Sequence, residues 1–383
     1  MKVPFFRLHA DKTDISAVTS VLKDGWLTTG ARASELEELV KKRCGAKQAI
    51  AVSSASIGLQ IALAALNIGP GDEVITTAFT FTATCAAILH SGATPVLADI
   101  DPQTLNIAPQ SIADKITPKT KALIAVDIAG APCDYRQITA LCRKHNLKLI
   151  CDAAHSFGAT YHGKPVGSFG DVTVVSFYST KNITTAEGGM ILTQKKHLAD
   201  RIRRLALHGI TRSALQRNRA ADWRYDISEI GFKANLSDLN AALGVARLKR
   251  FDSLLESRSN VATQYASRLA GFGDFLELPL VPADCEHAWH LFIIKLNLER
   301  WKIGRDRLIK ELTRLGIGSG VHYIPLHYFS GYQDTLNVQT GELYQTEQTF
   351  KRVVSLPLYP ELKASEAKAV CGAIGELVKR FGK

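Results

Sequence analysis

Between about residues 50 and 195, short runs of apolar and β-branched residues alternate with stretches whose apolar positions recur every three or four residues. The runs Val74–Thr76, Pro95–Asp99, Ala122–Asp127, Leu147–Cys151, Val172–Phe177 and Met190–Thr193 predict strands, since buried parallel strands read as unbroken apolar segments. Ser56–Leu66 and Tyr135–His145 carry the helical period, and Gly69-Pro70-Gly71 stops the first of them. This alternation predicts an α/β fold, with a mostly parallel sheet and helices on both faces. Ligands of such sheets collect outside the C-terminal ends of the strands. After about residue 240 the pattern changes. A long helical pattern from Leu236 to Leu269 leads into a stretch broken by Gly and Pro. An alternating strand, His290–Leu296, and helices at Arg305–Leu315 and Ser365–Phe381 follow. We therefore expect a large domain over residues 1–245, with an N-terminal arm, and a small α+β domain over 246–383.

Composition narrows the class. Of 383 residues, 46% are apolar and 22% charged, an ordinary globular mixture that excludes disorder, collagen and a disulfide scaffold. A chain this long buries roughly three quarters of its unfolded surface, so its stability requires neither metal nor disulfide. The longest apolar stretches, such as Ile61–Leu66, are far short of the ~18 residues that span a bilayer. At the start, Lys2 precedes a short apolar patch that Arg7 interrupts, without the apolar core of a signal peptide. The seven cysteines form no CxxC pair, and their odd number points to reduced thiols in a cytoplasmic protein. The formal charge of +11 fits either plain solubility or an anionic small molecule. Nucleic acid is disfavoured, because there is no zinc finger, basic zipper or helix-turn-helix signature.

Candidate chemistry lies at the predicted strand ends. Ser53-Ser54-Ala55-Ser56 follows the apolar run Ala49–Val52, and Ser54 is a good N-cap. A helix start offers free N–H groups and the positive end of the dipole to a phosphate, although a capped helix with nothing bound reads the same way. Asp152 ends a strand in Cys151-Asp-Ala-Ala-His155. A carboxylate there needs a partner, such as a protonated ring nitrogen, or it caps a helix. Lys181 lies in Ser176-Phe-Tyr-Ser-Thr-Lys-Asn182, followed by Glu187-Gly-Gly189. A lysine in a buried loop can condense with an aldehyde, while one in an open loop is merely solvated.

The order and spacing of these three segments resemble a fold-type I pyridoxal-phosphate enzyme. More specifically, the chain resembles the DegT/DnrJ/EryC1/StrS sugar aminotransferases. The motifs are Gly25-Trp-Leu-Thr-Thr-Gly30, Ser53–Ser56, Gly71-Asp-Glu-Val-Ile75, Asp152–His155, Thr180-Lys-Asn182, Glu187–Gly189 and Asn235-Leu-Ser-Asp238, with His287–Phe292 and Leu356-Pro-Leu358 further on. The resemblance implies a transferase with pyridoxal 5'-phosphate held as an internal aldimine on Lys181, which then serves as the base. It implies that Asp152 keeps the ring nitrogen protonated, His155 lies near the phenolic oxygen and Phe81 stacks on the ring. Ala55, Ser56 and Ser176 would hold the phosphate, and Asn235 would reach the phosphate site of a neighbouring subunit, making a homodimer with shared active sites. Asn235 also reads as a cap for the helix after it. Trp26, Thr28, Thr29, His322, Tyr323 and His327 resemble substrate-loop residues.

The implied reaction moves an amino group from glutamate, released as 2-oxoglutarate, to a nucleotide-linked 4-keto or 3-keto sugar for surface polysaccharide, lipopolysaccharide or lipid A. Within the family the resemblance is nearest to aminotransferases acting on a UDP-linked 4-keto-pentose. A related sugar dehydratase or other lyase is the alternative enzyme, but those dehydratases carry His where this chain has Lys181. A non-catalytic regulator would need neither Lys181 nor Asp152. The arginines at 201, 203, 204, 212, 217, 219 and 224 suit a diphosphate but read first as solvated. On a strand Cys285 and His287 share one face while His290 points to the other, and a fourth ligand is lacking, so no metal is expected. Gly316–Gly320 lacks the flanking strand and helix of a dinucleotide loop, and no Walker motif is present.

Overall fold

The computed structural model describes residues 1–212, 222–336, 338–339 and 341–383. In chain order the strands are β1 (Gln48–Val52), β2 (Glu73–Thr77), β3 (Thr94–Ala98), β4 (Thr120–Val126), β5 (Lys148–Asp152), the short β6 (Thr160–Tyr161) and β7 (Lys164–Pro165), β8 (Val172–Ser176), β9 (Gly189–Thr193), β10 (Leu276–Glu277), β11 (Cys285–Glu286), β12 (Phe292–Leu296) and β13 (Val353–Leu356). The main sheet has the order β1-β9-β8-β5-β4-β2-β3. The pairs β2–β3, β2–β4, β4–β5 and β5–β8 are parallel, and β9 runs antiparallel to both β8 and β1. The sheet is mostly parallel, as its sequence pattern predicts. Every residue of β8 and β9 is buried, which is why their sequences do not alternate.

The helices α1 (Lys12–Asp24), α2 (Ala31–Arg43), α3 (Ala55–Ala65), α4 (Thr82–His90), α5 (Pro109–Lys115), α6 (Tyr135–Lys144) and α7 (Lys196–Leu205) accompany this sheet. On one side Leu59, Ile61 and Leu63 of α3 and Ile202 of α7 pack with Ile50, Val174 and Ile191. On another Ile112 of α5 and Tyr135 and Ile138 of α6 pack with Ile75, Leu123 and Leu149. A separate core surrounds the sheet β10-β12-β13, where Phe292 and Ile294 meet Tyr265, Leu312 and Ile374. The predicted strand at residues 290–296 begins two residues later, at Phe292.

The long helical pattern Leu236–Leu269 corresponds to two helices, Asp238–Leu248 and Phe251–Leu269. Arg250 between them leaves the helical region (φ −119°, ψ 16°). Its guanidinium donates to both carboxylate oxygens of Asp14, at 2.7 and 2.8 Å. Arg247 donates to the same carboxylate at 2.7 Å and to the His9 carbonyl at 2.8 Å. The break thus comes from a tertiary ion cluster that apolar periodicity does not register. Ser237 is the true N-cap, its hydroxyl accepting from the Asn240 amide at 3.3 Å, so Asn235 is not a cap. The expected division at 245/246 falls inside the first of these helices.

Asp14 and Arg247 are both buried, so Asp14→Asn leaves guanidinium charge without its counter-charge. We expect stability to fall by about 3 kcal/mol. Urea unfolding at neutral pH checks this, and an unchanged midpoint would show that the pair contributes nothing.

Candidate active site

The Ser54 side chain caps α3, its hydroxyl accepting from the Ile57 amide at 3.3 Å. The first turn of α3 lies directly against the start of β9. A Cβ built on Gly189 would come within 2.7 Å of the Ala55 nitrogen and 2.8 Å of the Ser54 carbonyl carbon. Only glycine admits this approach, which places free helix-end amides beside the sheet, in the arrangement that suits a phosphate.

A cavity of about 490 Å³ opens from that helix end. Its walls include Ser54, Ala55, Ser56, Phe81, Thr84, Asp152, Ala154, His155, Ser176, Tyr178, Thr180, Lys181, Glu187, His322 and Tyr323. The structure therefore gathers three segments that are far apart in sequence around one space. Phe81, just before α4, is 58% exposed although it is a large aromatic, so it presents a ring face that protein atoms leave uncovered.

Asp152 ends β5 and is buried. Its oxygens accept from the Thr84 hydroxyl at 2.8 Å and the Ala154 amide at 3.2 Å. Burial pushes its pKa up, while the bonds from Thr84 and Ala154 and the charge of Lys181 act the other way. These direct donors are neutral, so the carboxylate retains unmet capacity for a cation. A protonated pyridine nitrogen meets that need. Burial lowers the Lys181 amine to about 8, with the charge of Asp152 opposing part of the shift. The residues thus fit pyridoxal phosphate: a helix end for its phosphate, a buried carboxylate for its nitrogen, an amine for its aldehyde and an open aromatic face.

An amine must be neutral to attack an aldehyde. Capture of pyridoxal phosphate by cofactor-free protein should therefore accelerate with pH and level off with a midpoint near 8. Stopped-flow absorbance measures this. A midpoint above 10, like that of a solvated lysine, would contradict it.

His155 is buried and packs against His290, with ring centroids 4.4 Å apart and ring planes tilted by 44°. Burial, then the charges of Lys181 and His322, hold it well below the usual histidine range. His322 contacts the Ser355 hydroxyl through Nδ1 at 2.8 Å, and burial together with the charge of Lys181 lowers it to about 4. Thr84 gives no sequence signal, because nothing local marks which threonine in Thr80–Thr84 faces a distant aspartate. The sequence singles out His290 only as a candidate metal ligand. Its tilted packing on His155 joins segments more than a hundred residues apart.

The other sequence candidates lie elsewhere. Trp26, Thr28 and Thr29 do not line the cavity of their own chain. Their loop is tied down by Trp26 Nε1 donating to the Thr29 carbonyl at 3.2 Å and by the Thr29 hydroxyl donating to the Leu236 carbonyl at 2.6 Å. Asn235 joins them, its Nδ2 donating to the Thr29 hydroxyl at 2.6 Å. His327 also lies off the cavity. The turn Leu326–Tyr328 directs it toward Glu347, at 3.5 Å.

The described arginines of the basic segment pair with carboxylates instead of standing free. Arg201 meets Glu229 at 3.0 Å, Arg203 meets Glu37 at 3.0 Å and Arg204 meets Glu229 at 3.5 Å. Arg212 and Arg224 share Asp222. Arg217 and Arg219 lie outside the described residues. The described residues contain no group of three or more His, Cys, Asp or Glu side chains placed to hold a metal.

A family model described as the DegT/DnrJ/EryC1/StrS aminotransferase family matches residues 9–375. The spore coat polysaccharide biosynthesis protein SpsC of Bacillus subtilis is 40% identical over 370 residues, 96% of this chain and 95% of that one. Among solved structures, Spr1654 of Streptococcus pneumoniae, assigned as a sugar aminotransferase and solved in its PLP form, superposes with a TM-score of 0.91 at 31% identity, covering 99% of each chain. PseC of Helicobacter pylori, an aminotransferase involved in pseudoaminic acid biosynthesis, superposes with a TM-score of 0.92 at 28% identity over 100% of both chains.

Proposed function

We propose, from the premise that this chain belongs to the DegT/DnrJ/EryC1/StrS aminotransferase family and depends on pyridoxal phosphate, that it transfers the amino group of glutamate to a nucleotide-linked keto sugar. The observation that carries this reading is that Lys181, Asp152 and the start of α3 line one cavity. Pyridoxal phosphate supplies an electron sink for breaking the Cα–H bond of an amino acid. The Ala55 and Ser56 amides and the Ser176 hydroxyl hold the phosphate, and Phe81 covers one ring face. Asp152 retains the proton on the ring nitrogen. The Lys181 amine would take the proton from the donor's Cα and return it to the cofactor's former aldehyde carbon, and its lowered pKa suits a base at neutral pH. Glutamate leaves as 2-oxoglutarate, and the keto sugar leaves as an amino sugar.

The name of SpsC supports a destination in surface polysaccharide, with lipopolysaccharide or lipid A as the finer reading. The reaction belongs in the cytoplasm, where nucleotide sugars are made. Among the described residues no helix is long and apolar enough to cross a membrane, and all seven cysteines are free thiols. A screen of nucleotide-linked keto sugars against the protein in its amino-cofactor form tests the function. The substrate restores the aldehyde absorbance, and failure of every 3-keto and 4-keto nucleotide sugar would overturn the sugar assignment.

The active sites are completed in a homodimer. Asn235, Thr29 and Trp26 form one tied group that its own cavity does not use, which suits a role in a second protomer. Dilution to monomers should then lower activity and cofactor retention together. A fully active monomer in sedimentation would remove the basis for sharing.

A further inference from the structure

We infer that the Tyr323 hydroxyl is a hydrogen-bond donor to the ring oxygen of the bound cofactor, with its polarity set by the Ala129 amide acting through His155. This inference rests on the cofactor reading above but not on the identity of the sugar.

The chain of polarity starts from a backbone group that can only donate. The Ala129 N–H donates to His155 Nδ1 at 3.3 Å. That amide is held firmly in place. Ala129 adopts a left-handed conformation (φ 59°), and its carbonyl accepts from the Leu291 amide at 3.0 Å. The preceding Ile128 amide donates to the Asn106 side chain at 2.8 Å. A Cβ on Gly130 would come within 2.9 Å of the Trp289 nitrogen, so the turn packs tightly on the next segment.

A histidine whose Nδ1 accepts must carry its single proton on Nε2 when neutral. His155 is neutral, since burial and the charges of Lys181 and His322 disfavour its cation. His155 Nε2 lies 2.9 Å from the Tyr323 hydroxyl oxygen. The Nε2–H must donate, so the tyrosine oxygen must accept. The tyrosine proton is thereby freed to point away from His155. Among the described residues no other acceptor bonds the Tyr323 hydroxyl, and Tyr323 lines the cavity.

The neighbours identify the acceptor. The charge of Asp152 acts on Tyr323, and the charge of Lys181 acts on its two partners, His155 and His322. Tyr323 lines the same cavity as the group that takes the ring nitrogen and the group that takes the aldehyde carbon. On a pyridoxal ring the oxygen substituent occupies the edge between those two positions. A donor there stabilises the oxygen as an anion. His155 is then a positioning residue, since its Nε2–H goes to Tyr323.

Two measurements test this. In cofactor-loaded Tyr323→Phe, the pH midpoint of the bound cofactor's absorbance change should rise by about one unit or more, because the anionic oxygen loses its donor. An unmoved midpoint would overturn the proposal. Nitrogen-15 NMR of histidine-labelled wild-type protein without cofactor, assigned by difference from His155→Gln, should show His155 protonated on Nε2 and bare on Nδ1. The opposite tautomer would overturn it even if the phenylalanine variant failed to fold. Neither readout uses a sugar, so failure of the sugar screen leaves this test intact.

Discussion

Lys181→Ala should abolish turnover and covalent retention of the cofactor while leaving the fold intact. Among the described residues Lys181 is the only lysine lining the cavity, and withdrawal from water brings its amine to about 8. At neutral pH a useful fraction is therefore already a free base, whereas an ordinary lysine would be almost wholly protonated. The substitution removes both the anchor for the aldehyde and the proton carrier. General-base catalysis alone contributes 10²–10⁴-fold, so we expect turnover to fall by at least about a thousandfold. Borohydride reduction followed by peptide mapping should place the cofactor on Lys181 in the wild type and on no lysine in the variant. Finding the wild-type cofactor fixed elsewhere would sink the assignment.

Asp152→Asn tests the chemistry separately from the architecture. Asparagine keeps the size and can still accept from Thr84 or Ala154, the two donors at 2.8 and 3.2 Å. It removes the negative charge, the one other carboxylate among the described cavity residues being Glu187. Without that charge the ring nitrogen loses its proton near neutrality and the electron sink weakens. Capture of the cofactor by Lys181 needs no sink and should survive. Conversion of bound cofactor by glutamate in a single turnover should slow at least ~100-fold, which corresponds to ~2.7 kcal/mol of lost transition-state stabilisation. A rate within threefold of wild type would reduce Asp152 to a structural acceptor for Thr84.

The sequence is legible wherever a signal is local. Six strands of the main sheet and the α3 and α6 helices follow from runs and periods, because burial on both faces leaves continuous apolar segments. Lys181, Asp152 and the Ser54 cap are legible as residues at the ends of such runs. Relations between segments are not. Arg250 breaks a helical pattern only because Asp14, more than two hundred residues earlier, takes its charge. Thr84 matters only because α4 begins against β5. His327 has the same local setting as His322 yet turns to Glu347, since the turn Leu326–Tyr328 reverses its direction. Hydrogen-bond polarity around His155 is further still from the sequence, for it depends on one amide in a left-handed turn.

The placement of β9 bears on the order in which the molecule can assemble during synthesis. Among the described residues β1 is an edge strand whose neighbour in the sheet is β9, so Gln48 waits for Thr193, 145 residues further along the chain. At translation speeds of about 5–20 residues per second, the nascent β1 and α3 remain without their sheet for several seconds to half a minute. The helix start that suits a phosphate is therefore among the last parts of the large sheet to be locked. A chain arrested before residue 189 presents an unpaired apolar strand, open to chaperones and to wrong partners.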